Sequence, residues 1–292
     1  ERLIGKMIRF FRVSRVDAGH TGPGRRGARS GGDGRIGSGI RCRLPAGGAT
    51  AAADAWFECP GAEPGGMSDI VVPADWVAAR LESPDVSVVD VREAWEYDGI
   101  GHLPGAVNVP FDAFRSEGDG EAGMLPGAEA FATLMGEAGV GDGDHLLAYD
   151  DTHGVFAARL LVTAELYGHP RDRLHLLDGD FSSWQREHPT TTDPVERDPT
   201  DYRAAFDEDG PLVTIETVRE ALSDPDTVIV DTREEWEFEE GHIPGAVRLD
   251  WLELVDRESR GLRPDAENRE TLDARGITPD GRVLPYCNTA RR

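Results

Sequence analysis

The chain has 292 residues, long enough for two average domains, with 55 acidic against 31 basic side chains and a net charge of −24. Eleven basic and six acidic residues fall in residues 1–66, leaving twenty against forty-nine in the rest, a surface whose sign excludes nucleic acid as a partner. Cys42, Cys59 and Cys287 are too few and too odd for a disulfide framework and point to a reducing, cytoplasmic setting, and no apolar run reaches the ~18–20 residues that span a bilayer.

Residues 1–66 are glycine-rich and carry no helical or strand period, so a disordered or non-native extension is expected there, with Met67 read as the natural start. Cys42 and Cys59 fall in this segment and, without further ligands, make no zinc site. Lys6 is the only lysine. The acidic, lysine-poor body resembles that of salt-adapted cytoplasmic proteins, so unfolding at low salt and refolding in molar salt are expected; full stability without salt would refute this.

From Met67 on, strands and helices alternate. Residues 73–81 read as a helix with Pro73 suited to its first turn, and 86–89 as a buried parallel strand. A helix over 128–137, a strand over 145–149, a helix over 156–167, a strand over 174–177 and a helix over 181–186 follow. This order predicts an α/β domain over 67–205 with a mainly parallel sheet flanked by helices. Residues 189–210, rich in Thr, Asp and Pro, read as a linker.

The pattern then repeats over 206–292. Residues 213–222 match the first helix and its lead-in, and 227–231 match the strand that ends at Asp90. Asp90, Arg92, Glu93, Trp95 and Glu96 stand in register with Asp231, Arg233, Glu234, Trp236 and Glu237. Gly101-His102-Leu103-Pro104-Gly105-Ala106 matches Gly241-His242-Ile243-Pro244-Gly245-Ala246. Two copies of one domain are the simplest organisation. Tyr149-Asp150 aligns with Tyr286-Cys287, and only five residues follow Cys287. The second copy is therefore expected to be incomplete, lacking the last two helices and the strand between them.

Cys287 follows the apolar run Val283-Leu284 and precedes Asn288-Thr289-Ala290-Arg291-Arg292. A strand delivering a cysteine into a short polar loop can hold an anion on backbone N–H groups and cations. In the first copy Asp150 stands at the cysteine position, so that copy is expected to be catalytically silent.

A strand ending in Asp-x-Arg-Glu-x-x-Glu, a Gly-His-x-Pro-Gly-Ala turn and a Tyr-Cys loop resemble the rhodanese superfamily over about residues 70–292. The tandem form with cysteine only in the second copy is similar to thiosulfate sulfurtransferases, and the composition to salt-adapted archaeal members. The resemblance implies a Cys287 nucleophile that carries sulfane sulfur as a persulfide from thiosulfate or 3-mercaptopyruvate to a thiophilic acceptor such as cyanide or a thiol. It assigns substrate binding to the loop Asn288, Thr289, Ala290, Arg291 and Arg292, whose basic character favours thiosulfate. Glu237 departs from the tandem enzymes, many of which carry a substrate-binding arginine there.

Asp231, Arg233 and His242, with Asp90, Arg92 and His102 in the first copy, are expected to be structural supports. Trp95 and Trp236 are expected to pack, and His153 to be solvated. No cofactor or metal is implied, and a monomer acting on small anionic donors, away from membranes, is expected. A phosphatase or arsenate reductase of rhodanese fold, with its Cys-x5-Arg loop, and a non-catalytic sulfur-carrier module are the alternatives.

Overall fold

The computed structural model describes residues 10–11, 70–116, 125–207 and 210–287. The strand β1, Phe10–Phe11, lies inside the segment read as an extension; the rest of residues 1–69, with Cys42 and Cys59, lies outside the described residues.

The first copy runs β2 (Val71–Val72), α1 (Ala74–Ala78), β3 (Val86–Asp90), α2 (Ala94–Gly99), β4 (Val107–Asn108), α3 (Ala128–Glu137), β5 (His145–Tyr149), α4 (Val155–Leu166), β6 (Leu174–Leu177) and α5 (Phe181–Trp184). Its sheet has the order β2-β6-β5-β3-β4 with every pairing parallel. Because side chains alternate along a strand, β3 and β5 feed two separate cores. Val89, Leu146 and Ala148 join Phe131, Met135 and Leu160 of α3 and α4 on one face. Val86, Val88, Leu147 and Tyr149 join Trp76, Phe181 and Trp184 on the other. Burial on both faces is why these strands read as unbroken apolar runs.

Residues 189–207 form no long element, yet they are strapped to the first copy. Thr191 exchanges backbone hydrogen bonds with His102 (2.8 and 3.0 Å), and the Thr200 N–H donates to the Gly136 carbonyl at 3.0 Å. Tyr202 is buried against Phe131 and lies 3.0 Å from His169 Nδ1. Gly139, with φ +71°, is required here, since a Cβ on it would come within 2.4 Å of the Arg197 Cβ. A stretch that reads as a connector is thus partly a strap closing the first core.

The second copy runs β7 (Leu212–Val213), α6 (Ile215–Ala221), β8 (Thr227–Asp231), α7 (Glu235–Glu240), β9 (Val247–Arg248), α8 (Asp265–Asp273) and β10 (Arg282–Tyr286). Its strands β10-β8-β9 pair in parallel, as β5-β3-β4 do in the first copy. On the other side of β10 the sheet continues through β1 and β7, both joined antiparallel. Its core is smaller, centred on Val218, Ala221, Ile229, Ala246, Leu284 and Tyr286.

Two expectations fail. Trp95 and Trp236 do not pack: they are 68% and 59% exposed, on the outward faces of α2 and α7. Each is the second residue of its short helix, whose buried residue is Tyr97 in α2 and Glu237 in α7. His153 is not solvated either; it is half-buried, with Nδ1 3.1 Å from the Arg260 carbonyl of the second copy.

Candidate active site

Each copy ends its central strand in the same brace. In the second copy, the Asp231 carboxylate accepts hydrogen bonds from Arg233 Nε (2.9 and 3.1 Å), Arg233 Nη2 (2.6 Å) and the Arg233 backbone N–H (3.0 Å). The Tyr286 hydroxyl donates to Asp231 Oδ2 at 2.5 Å and accepts the Ile243 N–H at 3.1 Å. Arg233 Nη2 also reaches the Gly241 carbonyl at 2.8 Å, closing the Gly-His-x-Pro-Gly turn onto the strand end. The first copy repeats this arrangement with Asp90, Arg92, Tyr149, Leu103 and Gly101.

The charges in this brace hold one another. Burial opposes the Asp231 carboxylate, but the hydrogen bonds from Arg233 and Tyr286 outweigh it and keep its pKa below the usual carboxylate value. Burial and the same bond to Asp231 push the Tyr286 phenol well up, so it stays a donor. His242 takes no part: its ring stacks on Phe238 at 3.7 Å, with Nδ1 2.9 Å from the Phe238 carbonyl, and it is exposed. Glu237 is buried and accepts the Glu234 N–H at 3.0 Å, holding the first turn of α7.

Cys287 follows β10 directly and is a free, buried thiol at 5% exposure. The carbonyl before it, that of Tyr286, accepts both the Thr232 N–H (3.0 Å) and the Thr232 hydroxyl (3.1 Å). The peptide preceding the cysteine is thereby fixed to the end of β8, with the Tyr286 side chain fixed to Asp231. Asn288, Thr289, Ala290, Arg291 and Arg292 lie outside the described residues.

The first copy shows what this strand-end position does with a negative charge. Asp150, in register with Cys287, is 1% exposed. Its carboxylate accepts the N–H groups of Thr152 (2.7 Å), Gly154 (2.8 Å), Phe156 (2.7 Å) and Ala157 (3.1 Å). Phe156 and Ala157 belong to the first turn of α4, where unpaired N–H groups and the helix dipole favour an anion. Gly154 makes the entry with φ +84°. Burial still raises the Asp150 pKa, against the lowering effect of those bonds. The surroundings are otherwise acidic. A cavity of ≈ 320 Å³ beside this loop is lined by Glu93, Glu96, Asp112 and Asp151 against Arg92 and Arg115, a poor host for a dianion.

The sequence names Arg291 and Arg292 as the expected loop cations; the structure adds a further cation, Arg248, on the neighbouring strand. This residue ends β9 in register with Asp231. Its Nη1 is buried without a hydrogen bond, 3.7 Å from Asp250 Oδ2. The available signal was the repeat itself, since Asn108 stands at this position in the first copy. Among the described residues no cluster of His, Cys, Asp and Glu could hold a metal ion, and no helix is long and apolar enough to cross a membrane.

Comparison with known proteins agrees with this geometry. The chain is 29% identical to the 3-mercaptopyruvate sulfurtransferase of Escherichia coli strain K12, covering 75% of this chain and 83% of that one. It is 30% identical to the thiosulfate sulfurtransferase of Pseudomonas aeruginosa, covering 76% and 83%. The crystal structure of SseA from Escherichia coli, described as a 3-mercaptopyruvate sulfotransferase with the rhodanese fold, matches with a TM-score of 0.62 at 29% identity, over 72% of this chain and 85% of that one. The profile of the rhodanese-like domain matches residues 73–187 and again 214–292, one match per copy, so the chain belongs to the rhodanese-like family.

Proposed function

We propose that the protein is a sulfurtransferase that moves the sulfane sulfur of thiosulfate or 3-mercaptopyruvate to a thiophilic acceptor through a persulfide on Cys287. The observation that carries this reading is positional. Cys287 occupies the strand-end site at which the first copy gathers four N–H groups around the Asp150 carboxylate. A thiol facing such N–H donors is held toward its nucleophilic thiolate; a carboxylate there can carry no sulfane sulfur, and the first copy is accordingly non-catalytic. The relatives' names support the same class of reaction and include both donors.

With thiosulfate, the Cys287 thiolate attacks the outer sulfur. A new S–S bond forms, the sulfur–sulfur bond of thiosulfate breaks, and sulfite leaves with the electron pair. Cyanide then attacks the terminal sulfur of the persulfide, thiocyanate departs, and the thiolate is regenerated. Arg291 and Arg292 in the sequence, with Arg248 at the sheet edge, favour the dianionic donor. Thiocyanate formation from thiosulfate and cyanide by the full chain tests the reading. Cys287→Ser is expected to lower the rate by about a thousand-fold or more with the fold intact. Unchanged turnover in that variant removes Cys287 from the mechanism, and phosphate release from an aryl phosphate without thiocyanate overturns sulfur transfer.

A further inference from the structure

The loop around Asp150 does more than close on itself: a loop of the second copy plugs into it. Residues 255–262 of the second copy form a tight turn, bridged between Val255 and Leu262. Inside it the Asp256 carboxylate accepts the N–H groups of Glu258 (3.0 Å) and Ser259 (2.7 Å). Arg260 projects from this turn. Its Nε lies 2.7 Å from both oxygens of Asp180, a carboxylate of the first copy with no exposure, and its Nη2 donates to the Asp151 carbonyl at 3.0 Å. Asp178 Oδ1 accepts the Leu262 N–H at 2.8 Å, and Arg186 donates to the Glu258 carbonyl at 2.7 Å.

The backbone is under tension at the same place. Among the described residues, His153 (φ 55°) and Arg260 (φ 67°) are the two non-glycine residues in the left-handed region. They belong to different copies, and they meet: His153 Nδ1 donates to the Arg260 carbonyl at 3.1 Å. Such conformations persist only where surrounding contacts over-determine them. Gly261 packs closely here: a Cβ on it would lie 2.6 Å from Asp178 Oδ1, the oxygen that accepts the Leu262 N–H, so a larger residue has to displace that contact.

We infer that Arg260 is a positioning residue: it docks the second copy on the first copy's Asp150 loop, which holds a carboxylate where the second copy has Cys287, and so sets where the Cys287 strand end stands against the first copy. The connection runs along the chain. The turn grows from β9 through Trp251–Glu253, Arg275 ties Glu253 (2.5 Å) to the Arg248 carbonyl (2.8 Å), and β9 pairs with β8, which pairs with β10. The Asp150 loop thus has a use without chemistry, as a socket. The catalytic part of this inference rests on the sulfurtransferase reading; the docking part does not.

The full chain as wild type, Arg260→Ala, Arg260→Lys and Gly261→Ala decides it by two readouts. In hydrogen exchange, Arg260→Ala is expected to open the amides of 150–157 and 256–262 by about ten-fold while those of β3 and β5 keep their protection. In the thiosulfate–cyanide assay, the KM for thiosulfate is expected to rise by about ten-fold with kcat within about two-fold, a loss that lower stability alone does not produce. Lysine restores only part, because it lacks the planar fork. Gly261→Ala, which keeps every charge, moves both readouts the same way. Unchanged exchange at both loops overturns the docking, and faster exchange with an unchanged KM overturns the positioning role. If the wild type forms no thiocyanate, only the sulfurtransferase reading and the catalytic part fall, and exchange still decides the docking.

Discussion

The two copies build one brace in two conditions of burial. In the first, Arg92 and Asp90 are sealed, with side chains 2% and 0% exposed, and His102 is buried where it stacks on Tyr97. In the second, Asp231 is equally sealed but Arg233 is 12% exposed, and His242 sits in solvent. All of β3 is buried, whereas only the last three residues of β8 are. The half with the larger core carries the Asp150 carboxylate at its strand end; the half with the thinner core carries the Cys287 thiol. Reactive sites are commonly drawn from the less stable part of a structure, and the proposed sulfur transfer puts the nucleophile in the copy with the thinner core.

The comparison is broken most directly through the guanidinium groups. Arg92→Ala leaves the buried Asp90 carboxylate without its partner and is expected to cost about 4 kcal/mol of unfolding free energy. Arg233→Ala is expected to cost less, about 2 kcal/mol, because water can reach the space it leaves. Chemical unfolding read separately for each copy by hydrogen exchange measures both. Equal losses would show that the difference in burial carries no energy.

Next comes Asp150. Asp150→Ala strands four N–H groups at a buried helix start, and a loss of about 2–3 kcal/mol is expected. Its raised pKa sets the sign of the pH dependence. A carboxyl whose folded pKa lies above its unfolded value adds stability below the unfolded value and loses it as pH rises through the folded one. The variant should therefore lose less relative to wild type at pH 7 than at pH 3, as urea midpoints at the two pH values would show; a larger loss at pH 7 would contradict the role of burial.

Much of this was legible in the sequence, for definite reasons. Strands β5, β6 and β8 stood out because apolar runs bounded by turn residues are what doubly buried parallel strands require. The position of Cys287 was legible because a repeat supplies its own ruler, Tyr149-Asp150 against Tyr286-Cys287. Helix α8 was missed because Asp-Ala-Glu-Asn-Arg-Glu-Thr-Leu-Asp is polar all round and has no apolar stripe to reveal its period. Helices α2 and α7 were hidden in the same way, as charged segments with one inward residue each. The meeting of His153 with Arg260 had no local signal, because it depends on how two folded copies face each other.

Smaller effects sharpen the brace itself. Tyr286→Phe removes a charge-assisted hydrogen bond to Asp231, and about 1.5 kcal/mol is expected. The folded pKa of Asp231 is depressed, so its contribution is present above the unfolded value of about 3.9 and is lost as pH falls through the folded one. With the phenol gone, Asp231 should titrate nearer its usual value and this acid-sensitive contribution should shrink. A stability difference between wild type and Tyr286→Phe that stays flat from pH 5 to pH 2 would detach the tyrosine from the carboxylate.

The smallest expected effect is the one the repeated sequence pattern argues against. Trp95 and Trp236 recur in register, which reads as shared packing, yet both stand in solvent. Trp95→Ala and Trp236→Ala should each change stability by no more than about 0.5 kcal/mol, since little area returns to water and alanine is the better helix former. What the two copies share at this position is then a surface residue on a short helix, while the buried Tyr97 two residues on holds the turn through its hydroxyl on the Ala106 carbonyl at 2.7 Å. Phe238, at that position in the second copy, has no hydroxyl to offer and keeps only the ring stacking, on His242 as Tyr97 does on His102. Unfolding measurements that cost Trp236→Ala more than about 1 kcal/mol, with Trp95→Ala neutral, would mean that the second copy uses its tryptophan to replace the hydroxyl it lacks.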